Sequence, residues 1–204
     1  MNIINEELKF KIYNILNLEK ESEITEEDLK KVKNISLNSK DLELKEKKFS
    51  KEDFEALKHV ETLTLNSFNI TNDIIEGLNK ILNLKFLILN HCKFTDNTAI
   101  ENNLEKLIIN YPHQLNINIF SNVTNIEMIK LINVNQIDIE ELSRFTSLKK
   151  LSIYNSKILS FEKLENINKL QELNLDGSNI EDTVCTNLLN KGVNIHYSDE
   201  YLPF

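Results

Sequence analysis

From Leu148 to Ile180 the chain reads LKKLSIYNSKILSFEKLENINKLQELNLDGSNI, and its apolar positions repeat. Leu148, Leu151, Ile153 and Ile158 recur as Leu170, Leu173, Leu175 and Ile180, each 22 residues later. The unit L-x-x-L-x-L fits at VKNISL (Val32, Ile35, Leu37), VETLTL (Val60, Leu63, Leu65), LKFLIL (Leu84, Leu87, Leu89) and LEKLII (Leu104, Leu107, Ile109). It fits again at IEMIKL (Ile126, Ile129, Leu131), LKKLSI and LQELNL, and a degenerate last copy, KGVNIHY, keeps Val193 and Ile195. With Val193 as the last middle position, the middle positions are spaced 28, 24, 20, 22, 22, 22 and 20 residues apart. A fixed period of this length marks a stacked repeat architecture.

Each L-x-L is a short strand, because period-two alternation turns its leucines to one side. After the strand the period changes. Ile139, Leu142, Phe145 and Leu148 recur every third residue, as do Ile158, Phe161, Leu164, Ile167 and Leu170. That spacing suits a tight 3₁₀-like or short helical return. Longer early copies have room for a helix: TNDIIEGLNKIL offers Thr71 or Asn72 as cap and Ile74, Ile75, Leu78 and Ile81 as its apolar face. One unit cannot hide its own apolar side. Stacked units share a core, and their strands form a parallel sheet along one curved face.

A stack needs closed ends. NEELKFKIYNILNLE places Leu8, Ile12, Ile15 and Leu16 at helical spacing. ITEEDLKKVK starts with Thr25 and has Asp28 three residues on, a capping-box pattern. DTVCTNLLNKG predicts a closing helix through Val184, Cys185 and Leu188 that ends at Gly192. The tail YSDEYLPF offers Tyr201, Leu202 and Phe204 as a cover for the last repeat. KDLELKEKKFSKEDF reads as a solvated loop leading into a helix.

Over about residues 24 to 198 the chain resembles leucine-rich-repeat proteins, and its 22-residue copies resemble the bacterial internalin-like class. The resemblance implies an α/β solenoid of about eight repeats, a right-handed horseshoe with its parallel sheet on the concave side and a helical N-terminal cap. The expected division is one domain: cap 1–33, repeats 34–198, tail 199–204. The chain departs from the family at the buried asparagine three residues past each L-x-L. Lys40, Phe68, Cys92, Pro112, Val134, Ser156, Ser178 and Ser198 stand there. Cysteine and serine can still serve loop backbone, whereas Phe68, Pro112 and Val134 cannot do so with side chains.

A net charge of -8 argues against a non-specific nucleic-acid binder and suits a basic partner. Cys92 and Cys185 match no ligand spacing. No apolar run reaches membrane-span length, and the first twenty residues do not resemble a signal peptide. If Met1 is the natural start, a cytoplasmic protein is expected; a signal segment upstream would make it secreted or surface-bound.

Candidate chemistry is sparse. His91 precedes Cys92, but neighbours just past a strand point apart, so Cys92 fits better as a buried loop filler than as a nucleophile. His196 with Asp199 and Glu200 reads as solvated surface rather than a metal site. No phosphate-binding loop, nucleophile elbow or zinc-protease motif occurs. No enzyme activity, cofactor or metal is expected.

The outward strand positions form three columns. The first is Asn34, Thr62, Phe86, Lys106, Met128, Lys150, Glu172. The second is Ser36, Thr64, Ile88, Ile108, Lys130, Ser152, Asn174, Asn194. The third is Asn38, Asn66, Asn90, Asn110, Ile132, Tyr154, Asp176, His196. The middle copies expose Phe86, Ile88, Ile108, Met128, Ile132 and Tyr154 between polar ends, the composition of a binding patch. Scattered exposed apolar residues in an isoleucine-rich chain are the plainer reading. The asparagine column reads either as a cross-strand ladder or as turn preference after a strand. The expectation is a non-enzymatic, monomeric module that binds a protein or peptide on its concave face, without nucleic acid or membrane insertion. A cytoplasmic inhibitor or immunity-type protein and a secreted adhesion module are the alternatives.

Overall fold

The computed structural model describes residues 5–19, 22–40, 49, 53–176 and 182–198. Eight five-residue strands form the main sheet: β1 Asn34–Asn38, β2 Thr62–Asn66, β3 Phe86–Asn90, β4 Lys106–Asn110, β5 Met128–Ile132, β6 Lys150–Tyr154, β7 Glu172–Asp176 and β8 Asn194–Ser198. They are parallel and lie side by side in chain order. The columns Ile35-Leu63-Leu87-Leu107-Ile129-Leu151-Leu173 and Leu37-Leu65-Leu89-Ile109-Leu131-Ile153-Leu175 pair residue for residue and are buried. Period-two alternation turns both columns inward.

Register departs from the sequence reading at the last copy. Leu173 pairs with Ile195 and Leu175 with Tyr197, so Ile195 and not Val193 is the middle position. Asn194 and His196 therefore sit in the first and second columns, one column earlier than expected. Val193 is still buried, just before the strand. The alternation misled because Val193, Ile195 and Tyr197 all fit an L-x-L frame, and Tyr197 is 54% exposed where the other copies bury leucine or isoleucine.

Between strands the chain returns through helical turns. Helix α3, Asn72–Asn79 (α1 and α2 form the cap described below), is capped by the Thr71 hydroxyl, which accepts from the Ile74 N–H. It buries Ile74, Ile75 and Leu78, as the pattern predicted. The period-three segments become a 3₁₀ helix at Phe161–Asn166 and a single α turn at Ile139–Leu142 (α4). Gly77 lets α3 sit on the preceding 3₁₀ turn, Asp53–Leu57: a Cβ there would lie 2.1 Å from the Phe54 ring. One apolar cluster runs from Leu8 to Val193.

The cap helices are α1, Glu6–Leu16, and α2, Glu26–Leu29. Thr25 and Asp28 form the reciprocal capping box. On α1 the buried side chains are Leu8, Ile12 and Tyr13, while Ile15 is 43% exposed. Ile15 is thus displaced from the expected core face by Tyr13, whose hydroxyl donates to the Ser22 carbonyl at 2.8 Å. Asn5 caps α1 through the Leu8 N–H and donates its own N–H to Asp53 at 2.8 Å, with both residues buried. That bond ties the cap to the first return. Helix α5, Asp182–Asn190, ends at Gly192 in the left-handed region, φ 82°. Most of the charged insert (41–48 and 50–52) and the tail (199–204) lie outside the described residues.

Candidate functional site

Strands β3 to β6 carry the side chains expected to form the patch. Phe86, Ile88, Ile108, Met128 and Tyr154 sit on the concave side and are half-buried rather than exposed. Ile132 departs further. It lies in the same column but is only 5% exposed, so it forms the floor of the face. Neighbouring concave side chains cover one another at strand spacing. Ser152, also expected outside, is 3% exposed and accepts from Asn174 Nδ2 at 3.1 Å.

The asparagine column is a ladder. Asn66 Nδ2 donates to the Leu37 carbonyl, Asn90 Nδ2 to Asn66 Oδ1 at 2.8 Å, and Asn110 Nδ2 to Asn90 Oδ1 at 2.7 Å. The fifth strand supplies Ile132 in place of a donor. Asn110 Oδ1 is accordingly buried with no hydrogen-bond partner among the described residues. Polar self-pairing thus stops between β4 and β5, where the apolar stretch Ile132–Tyr154 begins.

Directly after the strands the backbone turns left-handed at Ser67, His91, Tyr111, Asn133 and Asn155 (φ 46° to 61°). The N–H of each of the first four bonds the last carbonyl of the next strand, at 2.8 to 3.0 Å. Asparagine and histidine enter this conformation more often than most residues, whereas serine and tyrosine adopt it at a cost of about 1–2 kcal/mol. The His91 and Tyr111 rings stack at 4.9 Å with 15° between planes. They form a ridge on the concave rim, with Tyr111 39% exposed. Sequence reading considered His91 only beside Cys92. The available signal was its place one residue past L-x-L-N, where an aromatic ring is out of keeping with a tight turn.

On one side of the ridge lies a groove of about 560 Å³ lined by Ile88, Ile108, Ile132, Asn90, Asn110 and Lys130 among others. On the other lies a pocket of about 520 Å³ lined by Lys40, Ser67, Asn69, His91, Lys93 and His113. Lys106 extends over the Phe86 ring at 5.9 Å and Lys130 over Tyr154 at 5.3 Å. Burial, then the nearby Lys150 charge, depress the Lys130 ammonium below its ordinary range. Lys150 pairs with Glu172 at 2.7 Å, and that hydrogen bond holds the Glu172 carboxyl below the usual carboxylate range.

Cys92 is fully buried. Its thiol lies 3.5 Å from the Leu65 and Asn90 carbonyls, and burial pushes it up to about 11. It therefore stays protonated, and the His91 ring stacks on Tyr111 rather than activating it. Ser156 takes the loop-binding role of the missing asparagine: its hydroxyl accepts from the Val134 N–H at 3.0 Å and donates to the Tyr154 carbonyl. Among the described residues no three His, Cys, Asp or Glu side chains converge to hold a metal. Asp199 and Glu200 lie outside them. No described helix is long and apolar enough to cross a membrane.

No protein-family model matches the chain, and no curated protein does. Solved structures do. Internalin C2 from Listeria monocytogenes is similar at 18% identity and a TM-score of 0.61, over 94% of this chain and 92% of that one. The internalin InlF from the same organism matches at 16% identity and TM-score 0.48, over 93% and 67% of the two chains. A leucine-rich-repeat protein from Leptospira interrogans matches at 14% identity and TM-score 0.38, over 82% and 62%. The first of these, together with eight in-register parallel strands in chain order, makes this an internalin-like leucine-rich-repeat fold.

Proposed function

We infer that the chain is a non-enzymatic protein-interaction module that binds a protein or peptide on its concave face. One observation carries this reading. Half-buried Phe86, Ile88, Ile108, Met128 and Tyr154 gather on adjacent strands over the Ile132 floor, inside a polar margin. Central apolar side chains with a polar rim are the usual anatomy of a protein-binding surface. Phe86, Met128 and Tyr154 are the anchors, since large side chains dominate such contacts. Burial holds the Cys92 thiol in its protonated form, which suits a packing role for it better than a nucleophilic one.

Phe86→Ser combined with Tyr154→Ser tests the reading. The double variant should fold and lose capture of the partner recovered by the unmodified chain from native lysate. Capture at unchanged strength by a folded variant would refute the placement. Unfolding would show that the two rings are structural; Met128→Ser, on the same patch, would then carry the test.

A further inference from the structure

The net charge of -8 permits a basic partner, but the charge is unevenly distributed. Just ahead of the strands, opposite charges neutralise one another: Lys33 with Glu61 at 3.0 Å, Lys85 with Glu105 at 3.6 Å, Lys149 with Glu127 at 2.6 Å. On the concave side the balance reverses. The outward positions of β2 to β6 hold Lys106, Lys130 and Lys150 and no carboxylate, with Lys150 paired to Glu172 of β7 at 2.7 Å. Lys106 is exposed and lies over a ring rather than against an acid. Across the His91–Tyr111 ridge, the second pocket adds Lys40 and Lys93, and among the described residues its lining contains no acidic one.

We propose that this groove selects an acidic segment of a partner protein, one that presents aspartate or glutamate beside an apolar or aromatic side chain. The inference rests on the protein-binding reading above and narrows it. The apolar floor takes the side chain, and the lysines on both sides of the ridge take the carboxylates. A docked carboxylate would be attracted to the exposed Lys93 and Lys106 ammonium groups, whereas a basic segment would be repelled by them. A nucleic acid fits less well. Its phosphates do not match an isoleucine floor, and a long polyanion feels the whole acidic molecule, whereas a short segment within about 8–10 Å feels chiefly the local lysines.

The test uses the whole chain and a random-sequence peptide display library as probe. Retained peptides should be enriched in Asp and Glu over the input. The best of them, made synthetically, should bind about tenfold more weakly to Lys93→Gln combined with Lys106→Gln at low salt, the scale that charge complementarity supplies. Both lysines are exposed, so thermal melts should match the parent. Lys106→Arg combined with Lys93→Arg should restore binding, and changing the peptide's carboxylates to amides should weaken it as the Gln pair does. Neutral or basic peptides whose retention is abolished by Phe86→Ser would overturn the acidic preference while leaving concave binding intact. Retained peptides indifferent to Phe86→Ser, Met128→Ser and Tyr154→Ser, or no enrichment at all, would overturn both. Tighter lysine-dependent capture of a single-stranded oligonucleotide than of any peptide would overturn the choice of partner class.

Discussion

The two faces of the ribbon obey different rules. Toward the core, every strand from β1 to β7 presents leucine or isoleucine at both inward positions. Toward the concave side, the same strands present residues as different as asparagine, threonine, phenylalanine, isoleucine, methionine, lysine, glutamate, aspartate, serine and tyrosine. Stacking requires only that the inner columns match, because each unit hides its apolar edge against its neighbours. The outer columns are released from that requirement, and the proposed recognition surface draws on their differences. The asparagine ladder lies between the two regimes: an outer column that is nevertheless self-paired.

Perturbing each level should give effects of decreasing size. Leu151→Ala removes a fully buried inner-column side chain and should cost about 2–5 kcal/mol. A thermal midpoint within a degree of the parent would show that the inner face tolerates voids. Gly77→Ala should cost about 1–3 kcal/mol through overpacking against the Phe54 ring. Combining it with Phe54→Leu should recover part of that loss, and chemical denaturation of the three variants reads the recovery. Asn90→Leu breaks two rungs of the ladder and leaves Asn66 Oδ1 and Asn110 Nδ2 without their cross-strand partner, a loss of about 1 kcal/mol. An unchanged denaturation midpoint would make the ladder incidental to stability.

The smallest effect belongs to the exposed cap. The Lys31 hydrogen bond and then the Thr25 bonds hold the Asp28 carboxyl at about 2, below its ordinary 3.8. A lowered value means that the contribution is fully present above about 3.8 and is lost as pH falls through about 2. Asp28→Asn should therefore lose less stability than the parent on acidification across that window. Parallel melting curves at its two ends check this, and equal losses would remove Asp28 from the acid response.

The inner face was legible in the sequence because two periods, two and about 22, reinforce one another over seven copies. Those copies set the pairing of Asn34 through Glu172 without error. The last copy failed because Val193, Ile195 and Tyr197 admit two frames, and only pairing with β7 chooses between them. Ile15 was misassigned because helical spacing cannot see the Tyr13–Ser22 bond that rotates Tyr13 inward. On the concave side the sequence placed side chains in columns but not in depth. Ile132 is covered by neighbours from adjacent copies, which no single strand pattern records. The His91–Tyr111 ridge was missed for a related reason: stacking between residues 20 apart depends on both adopting a left-handed turn.

Because the strands follow one another in chain order, the molecule behaves as a short one-dimensional lattice. Heat or pulling force should peel such a lattice from an end instead of melting it as a block. β8 leaves Tyr197 more than half in solvent, so fraying is expected to begin there before it reaches β7. The groove around Ile108 and Ile132 lies several strands away from that point, so fraying there would leave the proposed binding surface in place.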